Sequence, residues 1–590
     1  MLQKIVKKYH EVFIMPVVSG PSNGDAIDDF QKEYTSRGQI RIWVAFVLFN
    51  IVLFLPPYLF KAGGPIKVQL NMEVAILFAL WAIFGRQFGK RFLRWFTTGF
   101  VSFYLIALVY RSYSGAMSVF YQRDANFFND YSFVLGGLSF LLDAMNLPFW
   151  IYLVGSTAII ILVGLIFWGA RKTFVDSPIS DLGRTTRIGL VSLGLIAILV
   201  SGLFPKSATD LQMPVSSVTT ETIENIRRSL ASRENLKTFA TIDPASSYDY
   251  AQYTLSETPD VYFIFFESYG SVVYKRQHFM PAYVEITEAW EEKLAKNGWS
   301  TVTTISESPT WGGGSWMSYT STLFGLLVDQ QSEYDALKKK YSVTEYPNLG
   351  RYFSSQGYEY VWVLPINRQL PEKIEAMEHR FFGADQWITF EALNYEGPLF
   401  GWGPSAPDQF TFGFIQEFVS QHEQPTFLVY LTQNSHYPWT PLPPVLEDWR
   451  ELENYQLHGG VLDEDQKDGL SLGEWRQNYL QAIDNTLNAL GEFISLLENK
   501  NSIVVIIGDH QPPAVSRHED GYGTMVHIIS QDADLLRSFH KYGFVDGLIL
   551  ENLEPTIRHE GLYSLFVRNF IEQYGSNPRV LPPIFPNGTN

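Results

Sequence analysis

Residues 475–511 read WRQNYLQAIDNTLNALGEFISLLENKNSIVVIIGDHQ, and this stretch decides the fold of the second half of the chain. It lies mostly within a helical stretch, Leu472–Glu498, crosses a short polar break and enters a continuous apolar run, Ile503–Ile507. An unbroken apolar run of β-type residues is the mark of a strand buried on both faces. Similar runs stand on either side at Val261–Phe266, Tyr360–Leu364, Thr426–Leu431 and Met525–Ile529. Helical stretches, including Tyr346–Ser355 and Phe410–Gln421, lie between them. The alternation predicts an α/β domain with a mostly parallel central sheet covered by helices. Residues 440–471, rich in Pro, Asp and Glu, read as an inserted surface loop.

In such sheets ligands gather at the C-terminal ends of the strands. The first run ends in Glu267, in FIFFESYGS. The third is followed by Gln433, Asn434 and His436, in YLTQNSHYPW, and the fourth by Asp509 and His510, in IVVIIGDHQPP. Adjacent Asp and His can both reach one cation. Between the first two runs, SPTWGGGSWMSYTSTLFG sets three glycines before Ser315 and a helical stretch after it. Free N–H groups and the helix dipole at that place favour an anion, either a serine alkoxide or a bound phosphate. Each feature alone has an ordinary reading: Glu267 as a capping or surface residue, Ser315 as an N-cap. Their convergence on one sheet edge points to a catalytic site.

The first half has a different character. Residues 1–204 carry 18 Lys and Arg against 11 Asp and Glu, for a charge of +7, which leaves −24 on the remainder of a chain whose net charge is −17. Five apolar stretches stand out: Ile42–Phe60, Met72–Phe84, Phe96–Tyr110, Phe149–Ala170 and Ile188–Phe204. A membrane-crossing helix needs about 20 apolar residues. The first, fourth and fifth stretches meet this; the second is short and carries Glu73, and the third needs its flanks. The segments before the first, between the second and third, and between the fourth and fifth hold 14 Lys and Arg against four in the other two loops. The positive-inside rule then predicts five spans, a cytoplasmic N-terminus and an extracytoplasmic second half. No cleavable signal pattern precedes them. The aromatic loop 111–148 is expected either in the outer interface or against the external domain. The expected domains are 1–204, a five-helix membrane part; 205–255, a juxtamembrane linker; and 256–590, the catalytic domain.

The residue order strand–Glu, glycine turn–hydroxyl–helix, His after a later strand, then helix–strand–Gly-Asp-His resembles the alkaline phosphatase and sulfatase superfamily. Within it the chain looks most like membrane-bound lipoteichoic acid synthases and the related phosphoglycerol and phosphoethanolamine transferases, which also place five spans before an extracytoplasmic domain. Trp475–Gln511 is the most specific stretch. The resemblance implies that Glu267, Ser315, Asp509 and His510 hold one divalent metal, that Ser315 is also the nucleophile, and that His436 contacts the substrate phosphate. It implies a phosphate-contacting role for Asn367 and Arg368, in LPINRQ. It also makes His518, in SRHEDGYG, a further substrate or second-metal ligand, with His379 another candidate. Oxygen and nitrogen ligands suit Mn²⁺ or Zn²⁺, and the resemblance favours Mn²⁺.

The chain has no cysteine, which excludes disulfides, Cys-ligated zinc, thiol nucleophiles and a cysteine-derived formylglycine. The serine-type formylglycine pattern is absent around Ser315 as well, so sulfate-ester hydrolysis is not the expected reaction. An acidic second half argues against nucleic acid as partner. The expected function is metal-dependent transfer of a phosphoglycerol or phosphoethanolamine head group from a membrane phospholipid to an envelope glycan or lipid through a covalent Ser315 intermediate. It needs no nucleotide. The alternatives are a phosphoester hydrolase of the same superfamily and, from another class, a non-catalytic membrane binding protein.

Overall fold

Val261–Phe266 (β1) buries every side chain, with Tyr262, Ile264 and Phe266 in one apolar core and Val261, Phe263 and Phe265 in a second. Alternate residues of a strand point to opposite faces, so a strand apolar on both must lie between two layers. The same split recurs at Ile503–Gly508, where Val504 and Ile506 enter the first core and Ile503, Val505 and Ile507 the second. The computed structural model describes residues 23–59, 68–131, 149–177, 182–203, 214–241, 243–367, 372–401, 404–455, 471–497, 499 and 501–589.

Among the described residues the main sheet has nine strands. After β1 come β2 (Ser300–Glu307), β3 (Glu359–Leu364), β4 (Gln386–Thr389), β5 (Thr426–Leu431), β6 (Ile503–Gly508), β7 (Gly523–Ser530), β8 (Val545–Asp546) and β9 (Ile557–Arg558). The spatial order is β8-β2-β7-β6-β1-β5-β3-β4, with β9 also paired to β2. Strands β4, β3, β5, β1 and β6 are mutually parallel. The sheet as a whole is mixed rather than mostly parallel, because β7 runs antiparallel to both β6 and β2. The link from β6 to β7 holds only a short 3-10 turn, His518–Asp520, and no crossover helix, so the chain returns antiparallel. Strand β2 therefore points the same way as β1 and β6, and its end at Glu307 delivers the glycine turn to their C-terminal edge. Its sequence, STVTTISE, is too polar to register as an apolar run.

The helix opening the diagnostic stretch, Leu472–Leu496, starts at a capping box in which Ser471 and Glu474 bond each other's backbone. It lays Tyr479, Ile483, Leu487, Leu490 and Ile494 against the first core, at the three-and-four spacing of one helix face. His559–Tyr574 covers the opposite core with Leu562, Phe566 and Phe570. The region expected as an inserted loop contains a 3-10 turn, Trp449–Asn454, that buries Leu452; residues 456–470 lie outside the described ones.

In the first half the apolar stretches form helices α1 (Asn23–Phe54), α2 (Met72–Phe84), α3 (Lys90–Phe120), α4 (Phe149–Arg171) and α5 (Arg184–Leu203). Among the described residues three helical segments are long and apolar enough to cross a membrane: Lys90–Phe120, Trp150–Asp176 and Arg184–Leu203. The apolar segments Gly38–Phe54 and Met72–Phe84 are shorter than a full span, so five full spans are not established. Ile106, Val109, Trp150, Ile160 and Leu203 all face outward. A helix apolar on its outer face is suited to lipid rather than water. Helices α2 and α5 pack closely through small residues: a side chain at Gly194 would meet Ala79.

Glu73, the odd carboxylate of the second apolar stretch, has a structural task. It accepts hydrogen bonds from Ser217 Oγ at 2.6 Å, Thr219 N at 2.8 Å and Val218 N at 3.2 Å. It thereby caps the N-terminus of helix α6 (Val218–Thr241), where an anion is favoured. A short parallel pairing of Leu70–Asn71 with Val215–Ser216 and a buried Arg111–Glu221 ion pair at 2.9 Å bind the same end of the bundle to α6. Residues 68–71, the segment after α3 and the chain from 214 onward thus share one end of the bundle. Of the aromatic loop expected at 111–148, residues 111–120 continue helix α3 and 121–131 pack on α6 and on the sheet domain; residues 132–148 lie outside the described ones.

Candidate active site

The C-terminal ends of β1 and β6 are neighbours, which brings Glu267 beside Asp509 and His510. All three are buried, and one ligand atom from each lies within 4.8 Å of the others. The backbone fixes them tightly. Asp509 Oδ1 accepts the Ser268 and His510 amides, each at 2.7 Å. Ser268 adopts φ of 60° to make its bond and also donates its hydroxyl to Glu267 Oε1 at 2.8 Å. A non-glycine residue held at positive φ is a strained feature that persists only where its surroundings fix it. His510 Nδ1 donates to the Gln511 carbonyl at 3.0 Å, leaving the Nε2 lone pair toward the carboxylates. Nε2 lies 3.4 Å from both Glu267 Oε1 and Asp509 Oδ2.

The glycine turn completes the cluster. Gly312, Gly313 and Gly314 have φ of 69°, 150° and 85°, which explains why three glycines precede the serine. Gly314 occupies the cap position and Ser315 is the first residue of the helix Ser315–Phe324, so the serine side chain is not spent as an N-cap. Its Oγ donates to Glu267 Oε2 at 3.1 Å and lies 3.4 Å from His510 Nε2. The N-terminus of a helix is a favourable setting for an anionic oxygen.

The electrostatics are those of a cation site. Burial, then the neighbouring Glu267 charge, push the Asp509 carboxyl up to about 7. Burial alone would lower the His510 imidazole, but Asp509 and Glu267 outweigh it and the net direction is up. Asp509 Oδ2 is buried with no hydrogen-bond partner, an arrangement costly for a carboxylate unless a cation takes it. Two carboxylates, an inward imidazole nitrogen and a hydroxyl without sulfur fit a hard or borderline divalent metal.

The other expected site residues fall differently. His436 follows β5, next to β1; its Nδ1 donates to the Tyr437 carbonyl at 2.6 Å, and burial pushes its imidazole down to about 4, so it is neutral at pH 7. It is close enough to Asp509 and His510 for their charges to act on it. Asn367 is exposed, and its amide bonds the Pro404 carbonyl at 2.8 Å. Arg368 lies outside the described residues. His518 is exposed, and its amide donates to Gln122 Oε1 at 3.2 Å. His379 stacks on Trp387 with ring centroids 4.2 Å apart.

Several residues not foreseen from the sequence hold the site in place. Thr432 Oγ1 accepts the Glu267 amide at 3.1 Å, and Ser308 Oγ donates to the Asp509 carbonyl at 2.6 Å. His559 bridges Ser306 Oγ at 2.8 Å and the Gly508 carbonyl at 3.1 Å. Asp408, fully buried, accepts Tyr430 OH and the Gln433 and Asn434 amides at 2.5, 2.7 and 2.9 Å, shaping the turn that presents His436. Only Thr432, inside TQNSH, carried a positional signal; the partners of the others are distant in sequence.

The sulfatase family model matches residues 294–532, a segment that holds Ser315, His436, Asp509 and His510 and begins after Glu267. Among solved structures, the chain is similar to the lipoteichoic acid synthase LtaP of Listeria monocytogenes, at 14% identity over 60% of this chain and 80% of that one, TM-score 0.35. It is similar to the Streptococcus pyogenes phosphoglycerol transferase GacH in complex with sn-glycerol-1-phosphate, at 15% identity over 57% and 84%, TM-score 0.34. It is similar to the integral membrane lipooligosaccharide phosphoethanolamine transferase A of Neisseria meningitidis, at 13% identity over 87% and 94%, TM-score 0.40. A comparison with curated proteins finds no match. Residues 294–532 thus match the sulfatase family model, in keeping with the resemblance carried by the residue order.

Proposed function

We propose that the protein is a membrane-held, metal-dependent transferase that moves a phospholipid head group, phosphoglycerol or phosphoethanolamine, to an envelope glycan or lipid acceptor. One observation carries the reading: the Ser315 hydroxyl sits at a helix N-terminus, 3.1 Å from Glu267, on a buried Glu–Asp–His cluster. Glu267, Asp509, His510 and Ser315 would hold the metal, Mn²⁺ in preference to Zn²⁺, which when bound lowers the hydroxyl's pKa and neutralises phosphoryl charge.

Ser315 Oγ attacks the head-group phosphorus. An Oγ–P bond forms and the bond from phosphorus to the diacylglycerol oxygen breaks. The serine proton passes by way of Glu267 to the departing oxygen as diacylglycerol leaves. An acceptor hydroxyl then attacks the phosphoserine diester, and Ser315 regains its proton. His436, with Nδ1 fixed on the Tyr437 carbonyl, would bond the phosphoryl oxygens through Nε2 once that nitrogen takes a proton, which the nearby phosphoryl charge favours. A catalytic site tied to the end of an apolar helix bundle suits a donor that never leaves the bilayer.

Full-length protein with Mn²⁺ and vesicles of phosphatidylglycerol or phosphatidylethanolamine is expected to release diacylglycerol from one of them, faster when acceptor is added. Release as free glycerol phosphate or ethanolamine phosphate, indifferent to acceptor, would identify a hydrolase; no release with any divalent metal would remove the head-group reading.

In this reading the catalytic domain, 256–590, lies outside the cytoplasm and the N-terminus inside, with five spans in 1–204 and a linker at 205–255. The chain has no native cysteine, so single introduced cysteines test this cleanly. Ser246→Cys, exposed beyond α6, is expected to react with an impermeant maleimide in intact cells. Gln87→Cys, exposed in the turn between α2 and α3, is expected to react only after permeabilisation. The reverse pattern would invert the topology.

A further inference from the structure

We propose that the outer end of α3, Phe120 and Tyr121, is a positioning element for the loop that carries Ser315. Alignment of the reacting hydroxyl would then depend on the membrane half, not on the sheet domain alone. The inference rests on Ser315 being the reacting group.

Helix α3 has 31 residues, about 46 Å at roughly 1.5 Å per residue, against about 30 Å of hydrocarbon. A helix that long exceeds the hydrocarbon thickness, and its last residues reach the glycine turn. A side chain built on Gly312 would lie 2.0 Å from the Phe120 carbonyl oxygen, and one on Gly313 would lie 3.1 Å from the Tyr121 ring. From the other side, the Gly312 amide donates to the carbonyl of Gln511, the residue after His510, at 3.1 Å. The turn is thus clamped between the metal-site strand and the membrane helix.

Elsewhere the turn has little behind it. A cavity of about 590 Å³ borders Gly313, Gly314, Trp316 and Met317, and Arg228 lines it as well. Space rather than packed core backs the loop there, which leaves the Phe120–Tyr121 shoulder as a main support.

The shoulder is itself braced. Tyr113 OH and Arg123 each bond Asp130 at 2.5 Å. Asn129 donates to Gln330 Oε1 at 2.7 Å and accepts from Ser332 Oγ at 2.6 Å, joining the loop after α3 to the segment following the Ser315 helix. Gln122 accepts the His518 amide, which gives that residue a structural place at the joint. Hydrogen-bonded side chains on both sides of the contact leave it little freedom to shift.

The test uses full-length Tyr121→Ala and Tyr121→Phe, with Tyr121→Leu replacing the alanine variant should that one not fold. In the alanine variant, amide exchange over residues 311–317 is expected to rise about ten-fold while β1 and β6 stay protected. With the water-soluble diester bis-para-nitrophenyl phosphate, kcat is expected to fall about 100-fold, the scale of an ångström-size misplacement, at little-changed KM and metal affinity. The phenylalanine variant keeps the ring and is expected to match the wild type. Wild-type exchange and wild-type kcat in the alanine variant would overturn the proposal. So would a loss confined to lipid vesicles, which would mean that the joint only orients the domain to the membrane. A wild type inactive on every phosphoester would count against the nucleophile reading alone, since amide exchange needs no turnover.

Discussion

Ser315→Ala is expected to lower head-group release by on the order of 10⁴-fold or more, the scale seen when a covalent nucleophile is removed. The site gives the reason. The Ser315 hydroxyl is placed against Glu267 Oε2 and His510 Nε2, and among the described residues no second hydroxyl has both contacts. The fold has little stake in it, because Gly314 rather than Ser315 caps the helix and the buried triad is held by backbone amides and by Ser268. Thermal stability and affinity for the metal should therefore stay close to wild type while turnover vanishes. Ser315→Thr keeps the hydroxyl and is expected to retain measurable turnover. Diacylglycerol release from vesicles, beside a thermal melt, checks both. Alanine activity within ten-fold of wild type would mean that the serine is a ligand or cap and that another group attacks.

Asp509→Asn is expected to separate metal binding from folding. The side chain's Oδ1 accepts two backbone amides, and an asparagine carbonyl can keep both. What changes is Oδ2, the buried oxygen without a hydrogen-bond partner, which becomes an amide nitrogen beside His510. The variant loses one anionic ligand, so metal affinity is expected to fall by at least about 100-fold, beyond the range typical of an outer-shell change. Without metal the same change relieves repulsion between two buried carboxylates, and the variant is expected to melt no lower than metal-free wild type. Wild type should gain about 2.7 kcal/mol of stability at 100 times the dissociation constant, a gain the variant should not show at that metal concentration. Melts with chelator and with added Mn²⁺ or Zn²⁺ read all of this. A metal-free variant much less stable than wild type, or a variant that gains as much from metal, would put the binding site elsewhere.

How much of this was legible in the sequence follows from what each element needs from its own residues. Strands β1 and β5 were readable to the residue because a strand buried on both faces must be apolar throughout. The residues at their ends and at the end of β6 were readable because ligands gather at that edge. Strand β2 was not, since its Ser and Thr side chains make it look like a loop; Thr303 and Ser306 are instead used to bond His527 and His559. Missing β2 hid the antiparallel return of β7, which makes the sheet mixed. The bracing residues His559, Asp408 and Ser308 were not legible for a general reason. Each acts on a backbone group far off in sequence, a relation that no local pattern encodes. Glu73 looked like a flaw in a membrane span because its partners, Ser217 to Thr219, lie more than 140 residues away.

The central claim is that Ser315 forms a covalent bond to a lipid head group. Intact mass spectrometry of full-length protein tests it most directly, after incubation with Mn²⁺ and mixed phosphatidylglycerol and phosphatidylethanolamine vesicles and quenching in acid, beside Ser315→Ala. The expected result is a wild-type adduct with the mass of one phosphoglycerol or phosphoethanolamine group, missing from the alanine variant. Intact lipids and unmodified protein across several divalent metals would contradict the account, and an adduct equally present on Ser315→Ala would place the nucleophile elsewhere.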